Sequence, residues 1–272
     1  MGVKAGLYIV ATPIGNLGDI TLRALEILKS CDVIACEDTR VSRKLLSSYS
    51  IDKPVISYHD HNADQMRPHI LDRIMTGQAV ALISDAGTPL ISDPGYKLVR
   101  DCYEAGLHVT FLPGPSAVLA GLVLSGMPSD RFLFAGFADK GAYPELSSLN
   151  MTLIFFESAK RLKKTLKEMA HGLPNRNVAV VREITKLFEE VRRGSFEELE
   201  QYYEENGPPK GEVVLILSPP GATPVEAVDI DQLLAQALET HSIRDACTLV
   251  AGTLGIPRKQ IYQRALALKE KE

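Results

Sequence analysis

Ser84-Asp85-Ala86-Gly87-Thr88-Pro89-Leu90-Ile91-Ser92-Asp93-Pro94-Gly95 follows directly on the apolar run Ala79-Val80-Ala81-Leu82-Ile83. Aliphatic and β-branched residues that stop abruptly at Ser, Asp, Gly and Pro predict a buried strand opening into a loop at its carboxyl end. Open α/β sheets bind their ligands at that end of the strands. Proline stiffens such a loop, and glycine lets its backbone approach a ligand closely. Asp85 and Asp93 are suited to accept hydrogen bonds from ribose hydroxyls or an amino group, each worth roughly 1.5–3 kcal/mol when one partner is charged. A purely local account also stands, because Asp93 and Pro94 suit the start of a helix over about 95–105.

Outward from that loop, strand and helix alternate. Leu7 to Ala11 reads as a strand that breaks at Thr12-Pro13-Ile14-Gly15-Asn16-Leu17-Gly18-Asp19, after which Leu22, Leu25 and Leu28 recur at helical spacing. A dinucleotide fold is not supported here, since the first glycine of its fingerprint is missing and no phosphate-loop lysine follows. Val33-Ile34-Ala35-Cys36 is a second strand, ending in Glu37-Asp38-Thr39-Arg40 and a basic helix with Arg43 and Lys44. Val55 to Tyr58 is a third, running into His59-Asp60-His61-Asn62. In an extended segment the two histidines would face the same way, but with no third ligand nearby a polar loop is favoured over a metal site. A helix around 65–76, the strand 79–83 and a strand His108–Leu112 complete one α/β lobe. Ser116, after Pro113-Gly114-Pro115, is placed to cap an apolar helix over 117–125.

From position 132 a second lobe is expected, with strands at 132–134, 152–156, 178–181 and 213–217 and helices near 160–170 and 195–205. The first of those two helices is expected to be basic through Lys160, Arg161, Lys163 and Lys164, and Arg192-Arg193 to lie in a loop. Residues 225–272 read as helix only, giving three segments: 1–113, 114–220 and 225–272. In the last, Val228, Leu233, Leu234, Ala237 and Leu238 share a face, Ser242 caps a helix carrying Ala246, Leu249 and Val250, and Leu254 to Pro257 forms a turn. A final helix then sets Ile261, Ala265 and Leu268 against Arg258, Lys259, Arg264, Lys269 and Lys271.

Composition narrows the function classes. Hydrophobic residues at 45% and charged residues at 24% are those of an ordinary globular chain. A net charge of −4 means that any nucleic-acid contact must rest on local basic patches. Four scattered cysteines without a paired spacing argue against zinc and disulfides, and no apolar run reaches the ~18 residues of a membrane span, so a cytoplasmic protein is expected.

The segments 11–19, 37–40, 57–62, 84–95 and 113–117 together closely resemble the small-subunit ribosomal RNA ribose 2′-O-methyltransferases of the tetrapyrrole-methylase superfamily. The resemblance implies a two-lobed α/β fold with a helix-turn-helix-like carboxyl-terminal module, usually a homodimer. It implies S-adenosylmethionine as cofactor, held by Pro13, Ser84, Asp85, Ala86, Gly87, Thr88, Pro89, Leu90, Asp93, Pro94 and Ser116. The implied substrate is a decoding-centre cytidine ribose of 16S ribosomal RNA, free or in the small subunit. Arg40, Arg43, Lys44, Lys160 and Arg161 would then hold RNA phosphates, and the proton acceptor would lie among Asp38, His59, Asp60 and His61. Two departures fall in the second lobe: a short Ala138 to Ala142 segment where the family carries a longer basic one, and Phe156-Glu157-Ser158-Ala159-Lys160-Arg161 where it tends to show a Pro-His pair. A small-molecule tetrapyrrole methylase and a non-catalytic RNA-binding protein of the same fold are the alternatives.

Overall fold

The structure is a computed structural model that describes residues 3–221, 234, 237, 242–254, 261, 262 and 265, with only the backbone of 244, 249 and 251–254. Contacts divide the chain into two compact units, Met1–Pro220 and Gly221–Glu272.

The first unit holds two five-stranded sheets. In the first, β1 (Gly6–Val10), β2 (Val33–Cys36), β3 (Val55–Ser57), β4 (Ala79–Ile83) and β5 (Val109–Leu112) are all parallel, in the order β3-β2-β4-β1-β5. Because side chains alternate across a strand, the same residues feed two cores. Tyr8, Val10, Ile34, Ala81 and Ile83 pack under α1 (Leu22–Ser30) and α2 (Thr39–Ser48) through Leu28 and Leu46. Leu7, Ile9, Val33, Val80 and Leu82 pack on the other side against α3 (Ala63–Met75) and α4 (Tyr96–Glu104) through Ile70, Ile74 and Leu98. This three-layer arrangement brings the carboxyl ends of all five strands to one edge. Helix α4 starts at Tyr96, and the residue before it is Gly95 at φ 140°, so Asp93 does not act as its cap.

In the second sheet β6 (Phe132–Phe137), β7 (Thr152–Ser158), β8 (Val178–Arg182), β9 (Glu190–Gly194) and β10 (Glu212–Leu217) run in the order β6-β7-β10-β8-β9, parallel only between β6 and β7. One face packs on α6 (Tyr143–Ser147), α7 (Leu162–Gly172) and α8 (Phe196–Asn206). The other packs on α5 (Ala117–Ser125), where Gly121 lets the helix close on β10: an added Cβ would lie 3.0 Å from Val214. Ser116 caps α5 as expected, accepting from Leu119 N at 3.5 Å. Ile14, from the loop after β1, is buried in this second core and so ties the two sheets together.

Two expectations about basic residues are corrected. Arg192 and Arg193 lie not in a loop but in the edge strand β9, which the alternation of apolar residues did not reveal because its side chains are satisfied by charge. Arg192 reaches Glu190 at 2.6 Å and stacks 3.6 Å from the centroid of the Tyr202 ring, and Arg193 donates to Ser125 O at 2.6 Å. Charged side chains on an edge strand also discourage pairing with other chains. Lys160 and Arg161 precede α7 rather than belonging to it, because the chain first makes a turn closed by Arg161 N donating to Ser158 O at 3.0 Å.

In the carboxyl-terminal unit Leu234, Ala237, Ala246, Cys247, Val250, Ile261 and Ala265 form one core. Ser242 caps the helix Ile243–Leu254, accepting from Asp245 N at 3.2 Å. Val228, Leu233 and Leu238, the turn at 255–257, Leu268 and the basic residues at 258, 259, 264, 269 and 271 lie outside the described residues. No described helix is long and apolar enough to cross a membrane, and the four cysteines are buried.

Arg176 is 3% exposed and has no carboxylate partner among the described residues; its guanidinium instead donates to five carbonyls, those of Leu146, Ser147, Leu149, Met151 and Ser218. Removing it leaves buried and half-buried carbonyls without their donor, so Arg176→Met is expected to lower stability by about 3 kcal/mol in urea denaturation, without moving the strand-end loops.

Candidate functional site

The strand-end edge of the first sheet faces β7 and β10 of the second across a cavity of about 700 Å³. Its first wall is the loop after β4, contributing Ala86, Gly87, Thr88, Ile91, Ser92 and Asp93, with Ile14 and Ser116 from the loops after β1 and β5. Phe137, Phe156, Glu157, Lys160, Ile184 and Lys210 belong to the second wall.

Backbone hydrogen bonds hold the first wall in place. Thr12 and Gly87 exchange both main-chain bonds, at 2.9 and 3.0 Å, which locks the loop after β1 to the loop after β4. The Thr88 hydroxyl donates to Pro115 O at 3.1 Å and draws in the loop after β5. Leu90 and Ser92 both hold left-handed backbone, at φ 74° and 64°, a conformation that costs side-chain-bearing residues free energy and clusters at ligand sites.

Of the residues expected to hold a cofactor, Ala86, Gly87, Thr88, Asp93 and Ser116 line the cavity. Ser84, Asp85, Pro89, Leu90, Pro94 and Pro13 do not, and two of them have visible structural duties. Asp85 accepts from Asp38 N at 3.1 Å, joining the loops after β4 and β2, and the Ser84 hydroxyl donates to Ala86 O at 3.3 Å.

Carboxylates gather at this edge. Burial pushes Asp93 up to about 6, the Ser84 hydroxyl working the other way and Glu37, Asp85 and Asp60 adding to the rise. Glu37 is raised too, first by burial and then by Asp85 and Asp60, with His59 opposing. Asp38 stands apart: it caps α2 by accepting from Arg40 N and binds the Arg40 guanidinium, both at 2.7 Å, which holds it down to about 2.

His59 and His61 do not lie in an extended segment. Asn62 N donates to His59 O at 3.0 Å to close a turn, and Asn62 Oδ1 accepts from His59 N at 2.8 Å, so the two rings meet edge to face with centroids 6.0 Å apart. His59 Nδ1 is buried without a hydrogen-bond partner.

The basic residues divide by partner. Arg43 and Lys44 are exposed on α2 and form no salt bridge among the described residues, whereas Lys163 is held by Glu204 at 2.6 Å and Lys164 by Glu168 at 3.8 Å. Sequence reasoning missed Glu37 and nearly the whole second wall. Glu37 was quoted only as part of a motif, and Phe137, Phe156 and Ile184 sit in segments indistinguishable from ordinary core strands and their ends.

Two family profiles match the chain: tetrapyrrole (corrin/porphyrin) methylases over residues 6–200, and the RsmI C-terminal HTH domain over residues 224–269. The chain belongs to the tetrapyrrole methylase family and, within it, to the group of ribosomal RNA small subunit methyltransferase I. It is 52% identical to the protein of that name from Erythrobacter litoralis, over 98% of this chain and 96% of the other. With its counterpart from Mesorhizobium japonicum it shares 46%, over 98% and 94%. The fold is shared with solved structures. A cobalt precorrin-4 methyltransferase superposes with a TM-score of 0.59 at 21% identity, covering 78% of this chain and 94% of that one. For a diphthine synthase the TM-score is 0.61 at 14% identity, covering 78% and 89%.

The raised Asp93 gives a pH prediction. Its folded value of about 6 lies above its ordinary 3.8, so the folded protein binds this proton more tightly than the unfolded chain does. Its contribution to stability is therefore full below about pH 4, falls as pH rises to about 6, and is flat above. Asp93→Asn should remove that fall and shift the denaturation midpoint upward at pH 7 relative to the parent; parallel pH profiles for the two proteins would show that Asp93 is not strained by burial.

Proposed function

We propose that this protein transfers a methyl group from S-adenosylmethionine to the ribose 2′-hydroxyl of a decoding-centre cytidine in small-subunit ribosomal RNA. The observation that supports it best is the cavity walled by strand-end loops, in a chain similar over nearly its whole length to ribosomal RNA small subunit methyltransferases. At about 700 Å³ it falls in the range of small-molecule sites, roughly 300–1,000 Å³. The residues present suit such a cofactor. Ile14, Ile91, Phe156 and Ile184 offer apolar surface to an adenine and an aliphatic chain, while Asp93, Thr88 and Ser116 offer polar groups to ribose and amine. Bound there, the cofactor supplies a methyl group already activated on a sulfonium sulfur.

The protein's part is then placement and proton removal. Asp38 is a weak base at about 2 and is engaged with Arg40, so we assign proton acceptance to the group His59, Asp60 and His61, with Glu37 beside them. Arg40, Arg43 and Lys44 on α2 and Lys160 and Arg161 before α7 would hold RNA phosphates, and the carboxyl-terminal unit would add RNA contact. The outward face of α5, with Leu119 53% and Val123 79% exposed, suits the interface of a homodimer. A cytoplasmic protein fits this substrate.

Nucleoside mass spectrometry of 16S ribosomal RNA from cells with and without the gene tests the reaction. Loss of one 2′-O-methylcytidine on deletion is expected; an unchanged profile would favour a small-molecule methylase or a non-catalytic RNA-binding protein. Calorimetry should show one S-adenosylmethionine per chain, with affinity reduced about tenfold or more in Asp93→Ala, a loss of the size expected for one charged hydrogen bond. Because phosphate contacts release counterions, Arg40→Ala/Arg43→Ala should shrink the slope of log affinity for RNA against log salt by roughly one per contact. An unchanged slope would clear both arginines of that role.

A further inference from the structure

The hairpin between β8 and β9 carries two large apolar side chains into solvent: Leu187 is 89% and Phe188 67% exposed. The tip that presents them is braced. Lys186 N donates to Glu183 O at 3.0 Å, Glu189 N to Lys186 O at 3.1 Å, and Thr185 N to Glu189 Oε2 at 2.8 Å. The Lys186 ammonium bridges Glu183 and Glu212, each at 3.0 Å. Its aliphatic stem lies directly on Gly15 in the loop after β1, where an added Cβ would meet it at 2.6 Å. Glu183 and Thr185 hold left-handed backbone at φ 50° and 67°, strain that is rare for a β-branched residue and is characteristic of ligand clamps. A rigid, strained mount for two exposed apolar side chains is not what a passive surface turn requires.

The position is informative as well. Ile184 lines the cavity, so Leu187 stands within three residues, at most about 10 Å of chain, of the cavity wall. Lys160 and Lys210 line the same cavity and form no salt bridge among the described residues, which suits an anionic backbone passing its mouth. Two side chains offer at most about 400–500 Å². That falls short of the roughly 800 Å² per partner in a stable protein interface, but it matches one or two nucleobases. Single-stranded RNA commonly presents unstacked bases that rest on aromatic side chains.

We propose that Leu187 and Phe188 form a stacking platform for an RNA base next to the target ribose. This rests on the RNA reading above and extends it to residues that carry no charge. The test measures binding of a 16S ribosomal RNA fragment over a range of salt for the full chain, Leu187→Ala/Phe188→Ala and Phe188→Tyr. S-adenosylmethionine calorimetry and sedimentation are run on the same proteins. The double alanine variant should bind RNA about 10- to 100-fold more weakly, the worth of one stacked base. Its salt slope should be unchanged, because no cation is lost. Phe188→Tyr should bind like the parent, and cofactor affinity should be equal in all three. Equal RNA affinity in the double variant overturns the platform while leaving the functional reading intact. So does a changed oligomeric state with RNA affinity retained, which would make the tip a contact between copies of the chain. A parent protein that binds no RNA at any salt overturns both.

Discussion

The paired backbone hydrogen bonds between Thr12 and Gly87 are the constraint on which the site depends. They join the loops that leave β1 and β4, neighbouring strands at the centre of the parallel sheet, just where the chain turns outward. Thr12 is fully buried, and its hydroxyl also donates to Ser84 O at 3.2 Å, so the junction is dry and cross-braced. Gly87 takes φ 79° there, and an added Cβ would meet Ile14 at 3.3 Å. Ile14 is the residue that inserts into the second core. One pair of main-chain bonds thus sets both the floor of the cavity and the position of the side chain that joins the two sheets.

That arrangement also explains the concentration of acid at the edge. Glu37, Asp60, Asp85 and Asp93 belong to loops after β2, β3 and β4, and a parallel sheet cannot avoid bringing those loops together. Two devices keep the cluster tolerable. Asp85 spends its charge on Asp38 N, and Asp38 on Arg40 and the start of α2. Asp93 and Glu37 are left with raised affinity for protons. Such groups favour any ligand that brings positive charge, as the proposed sulfonium donor does.

Most of the first lobe was legible in the sequence. Its strands are short apolar runs ended by Gly, Pro and Asp, because a parallel sheet buried on both faces requires that pattern. The central loop was legible for the same reason, and five motifs in order revealed the family. The second lobe was harder. Strand β9, Glu-Val-Arg-Arg-Gly, keeps a single apolar residue, since an edge strand can satisfy its side chains with charge instead of burial. Its wall of the cavity is made of strand ends whose residues look like core residues. The contact between Gly15 and Lys186 joins positions far apart in the chain, and nothing local encodes it. His-x-His faces one way only in extended backbone, and Asn62 closes a turn there, in line with the polar loop favoured from the sequence.

The two strained loops differ in how their strain is held. In the loop after β4, Leu90 packs its side chain over Gly95, where an added Cβ would lie 2.8 Å from Leu90 and 3.0 Å from Leu82. Gly95 is therefore the space that lets Leu90 reach the core of the first sheet, and burial of that side chain offsets the left-handed backbone. The β8–β9 tip reaches the second core through Ile184, which sits between its two left-handed residues. Its outer residues rely on the Lys186 ion pairs and on Gly15, which are partly exposed and respond to salt and to the loop after β1. The first loop is accordingly a fixed wall, and the second a mount whose firmness depends on the opposite side of the cavity staying in place.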